Sequence, residues 1–202
     1  MYKRQITNSD GTKFGKSEGN AIWLDADLTS PFAMYQFWLN TDDRDVVDRL
    51  KVFTFLTRED IDTLELEQKA APHLRVGQKT LARAVTTLVH GEQACHDVIA
   101  ASEALFGKGD VAGLNPDTFA SALEALPSAT VTPETPVAEA LVATGLSASV
   151  SAARRAIAQG GVSINNAPVS EETQLVGAPQ APHPSALLLK RGKKTLAALH
   201  CG

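Results

Sequence analysis

From Phe32 to Leu39 the chain is apolar at every position but Gln36, so a helix formed here presents oily side chains on nearly every side and must be buried on more than one of them. Ser30-Pro31 opens that helix, with serine able to cap and proline favoured at the first helical position. Thr41-Asp42-Asp43 offers caps for a second helix, along which Val46, Val47, Leu50 and Phe53 form a stripe. Thr57 with Asp60 has the spacing of a capping box and predicts a third helix from Ile61 to about Lys69, ended near Pro72. Two further helices follow. Leu81, Val85, Leu88 and Val89 recur at helical spacing between Gln78 and His90, and Ala94, Val98, Ala101 and Leu105 do so between Glu92 and Phe106, with Gly91 as the break.

The pattern then changes. Between Gly107 and Pro136 a short helix, roughly Asp117 to Leu126, is bracketed by Gly and Pro, and Ser128 to Thr135 reads as an extended linker. Val137, Ala140, Leu141 and Thr144 outline a helix stopped by Gly145; Val150, Ala153 and Ile157 outline another, capped from Leu146-Ser147-Ala148-Ser149 and ended by Gly160-Gly161. Val162 to Asn165 alternates as a strand with Asn166 in a turn, and Ala186–Leu189 with Lys193–Leu199 read as a hairpin around Arg191-Gly192. The fold class is therefore a mainly α-helical domain followed by a small α+β domain.

Composition narrows the setting. With 202 residues, 44% of them apolar and 21% charged, this is folded protein rather than a disordered chain. Cys95 and Cys201 are too far apart in sequence to suggest a disulfide framework, which makes a reduced, cytoplasmic location the default. No run approaches the roughly 18 apolar residues of a membrane span, and the N-terminus carries no targeting pattern. His90, Cys95 and His96 match no zinc spacing, and His73 beside Pro72 reads as a loop residue. The net charge of −4 is uneven: residues from Glu134 onward carry +2 and those before it −6, so the C-terminal third is the better electrostatic candidate for nucleic acid.

Two groups of cations stand out. Asp10-Gly11-Thr12-Lys13-Phe14-Gly15-Lys16-Ser17-Glu18-Gly19-Asn20 has no apolar periodicity and suits a loop that closes on phosphates: glycines let backbone N–H groups approach, and Lys13 and Lys16 bring charge to a departing pyrophosphate. Arg154 and Arg155 sit side by side on the penultimate helix, while Lys190, Arg191, Lys193 and Lys194 gather at the hairpin tip. Brought together by folding, they would form a cationic face for a phosphate backbone.

Lys13-Phe14-Gly15-Lys16-Ser17 resembles the KMSKS signature of class I aminoacyl-tRNA synthetases, in the form typical of bacterial-type tyrosyl-tRNA synthetases. Gly19 to Asp25, Thr29-Ser30-Pro31-Phe32, Tyr35-Gln36-Phe37-Trp38 and Asn40 to Val46 resemble the same family in order and spacing, as does Leu88-Val89-His90-Gly91-Glu92 in its anticodon-binding region. Ser149 to Asn165 resembles the αL-type RNA-binding domain, with Asn165-Asn166 standing where Asn-Gly is usual, a departure made mild by asparagine's tolerance of left-handed geometry.

The resemblance implies four parts: a remnant of the catalytic domain with the lysine loop (1–29), a helical anticodon-binding domain (30–127), a linker (128–136) and the RNA-binding domain (137–202). It implies tyrosine–tRNA ligase chemistry, in which tyrosine attacks ATP to give tyrosyl-adenylate and the tyrosyl group then passes to tRNA(Tyr). Lys13, Lys16 and Ser17 would be the catalytic residues, with Lys16 and Lys13 meeting ATP, which brings Mg2+ with it. Arg154, Arg155, Lys190, Arg191, Lys193 and Lys194 would contact RNA. No metal site, membrane contact or further cofactor is expected. The histidines at 73, 90, 96, 183 and 200 form no His-x-Gly-His signature, so the Rossmann catalytic core is expected to be absent and the chain to be a C-terminal fragment. Such a fragment would make no adenylate alone, and the family's homodimer interface would lie in the part not present. The alternative is a stand-alone RNA-binding protein without catalysis.

Overall fold

The computed structural model describes residues 6–15, 21–107, 109–177, 183, 186–192 and 195–202. The chain divides into two compact units, Met1–His96 and Asp97–Gly202.

In the first unit α1 (Pro31–Leu39) begins where expected, Ser30 accepting a hydrogen bond from the Ala33 N–H. It buries Phe32, Met34, Tyr35 and Trp38. α3 (Arg58–Ala70) opens with the capping box: Thr57 Oγ1 accepts from the Asp60 N–H while the Asp60 carboxylate accepts from the Thr57 N–H. α4 (Val76–His90) is the central element, packing against α1, α2 (Val46–Phe53) and α3. Its buried face runs through Gln78, Leu81, Ala82, Val85 and Thr86, so Leu88, expected on the apolar stripe, falls at the edge of that face and is exposed. Asp42 and Asp43 also depart from expectation. α2 is preceded by Asp45 without a side-chain cap. Asp42 instead accepts from the Arg44 guanidinium, and Asp43 from the side-chain amides of Gln68 and Gln78, joining α3 and α4 to the α1–α2 connection.

α5 (Glu92–Phe106) follows Gly91, whose φ of 88° and ψ of 167° end α4 in a conformation open to glycine. The second unit holds the rest of α5, α6 (Pro116–Glu124), α7 (Val137–Ala143), α8 (Val150–Ala158) and one sheet. The sheet comprises β1 (Ser128–Val131), β2 (Val162–Ile164), β3 (Ala167–Pro168), β4 (Ala186–Arg191) and β5 (Thr195–Cys201), in spatial order β1-β5-β4-β2-β3. β4 and β5 pair antiparallel, Leu189 opposite Ala197. Leu187, Leu189, Ala197 and Leu199 join Val137, Ala140, Leu141, Ala153 and Ile157 in the core shared with α7 and α8. Leu188 and Ala198, which alternate to the other face, are also fully buried, and α6 packs against β5.

The first four residues of the segment expected as a linker belong to this sheet. Ser128–Val131 runs parallel to β5, with Ser128 opposite Ala198 and Val131 opposite Cys201. By compactness the two units meet between His96 and Asp97, within α5. Extended backbone was legible at Ser128–Val131; its partner, some seventy residues away, was not.

Candidate functional site

The lysine run begins as a hairpin. Thr7 and Lys13 form an antiparallel bridge, the Asn8 N–H donates to the Thr12 carbonyl (2.8 Å), and the Phe14 N–H donates to the Ile6 carbonyl (3.1 Å). Asp10 shapes the turn, its carboxylate accepting from the N–H and hydroxyl of Thr12. Those bonds, the hydroxyl's foremost, hold the Asp10 carboxyl below its ordinary pKa. Gly11 supplies the left-handed residue with φ 83°.

Alternation along this hairpin separates two adjacent residues. Lys13 is exposed, and Phe14 turns inward. The Phe14 ring lies 5.4 Å from Phe53, 5.6 Å from Trp38 and 5.8 Å from Phe37, centroid to centroid. The Arg49 guanidinium carbon sits 4.3 Å above that ring. Arg49 is buried at 3% exposure, and its Nη2 donates to the Thr7 carbonyl (3.0 Å) and to Asn8 Oδ1 (2.8 Å). The Ser9 N–H reaches the Asp45 carboxylate (3.2 Å). Beside the hairpin a cleft of about 450 Å3 is lined by Asp10, Phe14, Phe37, Arg44 and Asp45 among others. At its rim Arg44 pulls the Asp42 carboxyl down to about 2, chiefly by hydrogen bonding. Lys16 and Ser17 lie outside the described residues.

Sequence reasoning missed Arg49. The signal was present: Arg49 follows Val46 by three residues and precedes Phe53 by four, so a guanidinium stands within the apolar stripe of α2.

In the second unit Ser149 caps α8, accepting from the Ala152 N–H. Ala153, Ala156 and Ile157 face the core while Arg154 and Arg155 are exposed. The hairpin turn is tied close to this helix: the Gly192 N–H donates to the Gly161 carbonyl (2.8 Å), and the Arg191 guanidinium donates to the Leu146 carbonyl in the turn before α8. Arg154, Arg155 and Arg191 thus belong to elements that are joined. Lys193 and Lys194 lie outside the described residues.

Lys190 does not share that surface. It is buried at 6% exposure, and its ammonium donates to the carbonyls of Ala104 (2.8 Å) and Gly107 (3.5 Å) at the end of α5. Burial lowers its pKa. The reason is strand geometry, since successive residues point to opposite faces and only one of Lys190 and Arg191 can turn toward the helix end. Asn166, at φ 66°, adds to the same junction, its Nδ2 donating to Ala104 O (3.0 Å) and Gly109 O (2.7 Å). No group of three His, Cys, Asp or Glu side chains suited to a metal occurs among the described residues. Cys95 is buried, its thiol directed at the Arg83 carbonyl.

Residues 1–107 match the family model of class I tRNA synthetases (W and Y), and residues 118–199 match that of the tyrosine–tRNA ligase SYY-like C-terminal domain. The chain is 61% identical to the tyrosine–tRNA ligase of Leifsonia xyli subsp. xyli over 95% of its own length and 43% of that protein's. It is 48% identical to the corresponding ligase of Thermobifida fusca, over 95% of the chain and 45% of the relative. A solved structure of a C-terminally truncated mitochondrial tyrosyl-tRNA synthetase from Aspergillus nidulans aligns with a TM-score of 0.38 and 35% identity, covering 45% of this chain and 30% of that one. The chain belongs to the class I tyrosyl-tRNA synthetase family. It spans less than half the length of these curated relatives, and none of its described helices is long and apolar enough to cross a membrane.

Proposed function

We propose that this chain supplies the pyrophosphate-side lysine loop and the tRNA-contacting regions of a cytoplasmic tyrosine–tRNA ligase that acts on tyrosine, ATP with its Mg2+, and tRNA(Tyr). In this reading residues 1–29 carry the loop of the catalytic domain, 30–127 the anticodon-binding helices, and 137–202 the RNA-binding domain, with 128–136 leading into it. Lys13 and Lys16 stabilise the negative charge that develops on pyrophosphate as tyrosine's carboxylate attacks the α-phosphorus, and Ser17 shapes the closed loop. The observation that carries this reading is an exposed ammonium, Lys13, next to an anchored ring, Phe14, in the run that resembles the KMSKS signature. Charge is thereby available at a backbone that is held, which is what electrostatic preorganisation needs.

The test joins this chain to the catalytic portion found in its relatives and measures ATP–pyrophosphate exchange. Lys16→Ala or Lys13→Ala lowers the rate on the order of 100-fold, the usual effect of removing one preorganised charge-stabilising donor; undiminished exchange refutes the role. For RNA, Arg154 and Arg155 are exposed on a helix whose neighbouring turn carries Arg191. Replacing Arg154 and Arg155 by Ala should flatten the slope of log affinity for tRNA against log salt by about 0.7 to 0.9 for each phosphate that is no longer neutralised. An unchanged slope moves the interface elsewhere.

A further inference from the structure

We propose that Arg49, on α2 of the helical block, is the positioning residue of the lysine loop, fixing the backbone that carries Lys13 through the Thr7 carbonyl, Asn8 and the Phe14 ring. The inference rests on the reading of Lys13 as a phosphate-facing cation.

Arg49 is the guanidinium that the fold has withdrawn from water in this region, at 3% exposure. Burying an arginine is costly unless hydrogen bonds and favourable contacts replace its hydration. Here the replacements come from one place: Thr7 O, Asn8 Oδ1 and the face of Phe14 all belong to the hairpin of residues 6–15. Their positions relative to Lys13 matter. Thr7 is its partner across the bridge and Phe14 its neighbour along the chain, so one planar group holds the backbone on both sides of the lysine. The lysine stem is long and flexible; what can be fixed in advance is the backbone from which it starts. Phe37, Trp38 and Phe53 close around the other sides of the Phe14 ring, and they come from α1 and α2. Displacing α2 therefore displaces the base of the loop, and the helical block enters the first half-reaction through its geometry without touching substrate.

The group's shape is essential to this role. Stacking on a ring while donating in its own plane to two oxygens requires a flat fork, which lysine lacks. Arg49→Lys retains the charge and discards the shape; Phe14→Leu retains apolar volume and discards the ring face.

The experiment uses the chain joined to its catalytic portion, with Lys13→Ala as the reference variant. Amide hydrogen exchange should rise at least about 10-fold at Asn8 and Phe14 in both Arg49→Lys and Phe14→Leu, while the amides of α4 keep their protection. In ATP–pyrophosphate exchange the same two variants should lower kcat by about 10- to 100-fold, the effect expected from misplacing a reacting group by about 1 Å, with KM for tyrosine unchanged. Unaltered protection at Asn8 and Phe14 overturns the proposal. So does an unaltered kcat when Lys13→Ala lowers it. Reduced protection throughout α1–α4 in both variants also overturns it, assigning Arg49 to general stability. If Lys13→Ala has no effect, the reading of the lysine fails by itself, and an anchored loop without a fall in kcat in Arg49→Lys then overturns the positioning role as well.

Discussion

Replacing Lys190 by methionine weighs a buried ammonium against an apolar stem of similar length. The ammonium donates to Ala104 O at 2.8 Å and more weakly to Gly107 O at 3.5 Å, at the C-terminal end of α5. A hydrogen bond from a charged group contributes about 1.5–3 kcal/mol, and a cation at a helix C-terminus adds up to about 2 kcal/mol when partly buried. Desolvation opposes both, as the lowered pKa of Lys190 records. Since Ala104 O keeps its bond from Asn166, methionine does not leave that acceptor bare. The net expectation is a destabilisation of about 1–2 kcal/mol for Lys190→Met. Asn166→Gly preserves the left-handed backbone and removes the second donor, and only the double variant strips Ala104 O of both. The double-mutant cycle should therefore show a coupling of about 1 kcal/mol, the double variant being destabilised by more than the sum of the two single ones.

Urea unfolding followed by far-UV circular dichroism measures this, and fluorescence localises it. Trp23 and Trp38, the chain's two tryptophans, both lie in the first unit, so the emission change should move less than the dichroism change. Alkaline pH supplies a second signature. With its folded pKa below the ordinary 10.5, the unfolded chain binds the proton more tightly, so the wild-type advantage over Lys190→Met should grow as pH rises from the lowered value toward 10.5. The Cys201 thiol, whose pKa burial raises, is common to both proteins and cancels. A methionine variant as stable as wild type, or more so, refutes the claim that the carbonyl bonds outweigh desolvation.

Two further outcomes follow from local geometry. Gly91→Ala should cost about 1–3 kcal/mol, because φ 88° with ψ 167° is a region that L side chains rarely enter; no atom lies within 4 Å of the added methyl, so backbone strain alone is at work, and a thermal melt unchanged from wild type contradicts it. Thr57→Ala should cost about 1 kcal/mol by breaking the capping box of α3, read from urea midpoints, whereas Thr57→Ser should restore most of it.

The helices were legible because their signals are local. Ser30, the Thr57–Asp60 box, Gly91, Ser149 and Gly145 each act within a few residues, and each does in the structure what its spacing implied. The β4–β5 hairpin was legible for the same reason. What sequence could not disclose depends on distant partners. β1 pairs in parallel with β5, and Asp43 joins two glutamines from different helices. Arg49's place on the α2 stripe can be read from spacing, but its partners, Thr7, Asn8 and the Phe14 ring in the hairpin of residues 6–15, cannot. The lysine run showed its charge in the sequence, but not the aromatic cage on which its base rests.

Lys190 and Arg191 show how position along a strand divides one basic run into separate tasks. As neighbours on β4 they point to opposite faces, and each meets a different carbonyl: Lys190 that of Ala104 in α5, Arg191 that of Leu146 before α8. The lysine's charge is enclosed, so it adds nothing to a cationic surface, but it fastens the strand to the helix end. Arg191 is half-buried, and its guanidinium donates to the Leu146 carbonyl, which ties the end of β4 to the residues before α8. The Gly192 bond to Gly161 then fixes the turn against the residues that end α8, the helix exposing Arg154 and Arg155. Of the six basic residues singled out in the sequence, Arg154, Arg155 and Arg191 sit on a capped helix and a strand end that are joined, Lys190 is enclosed, and Lys193 and Lys194 lie outside the described residues. The cation withdrawn by burial is the one that fastens to the end of α5 the strand from which Arg191 projects.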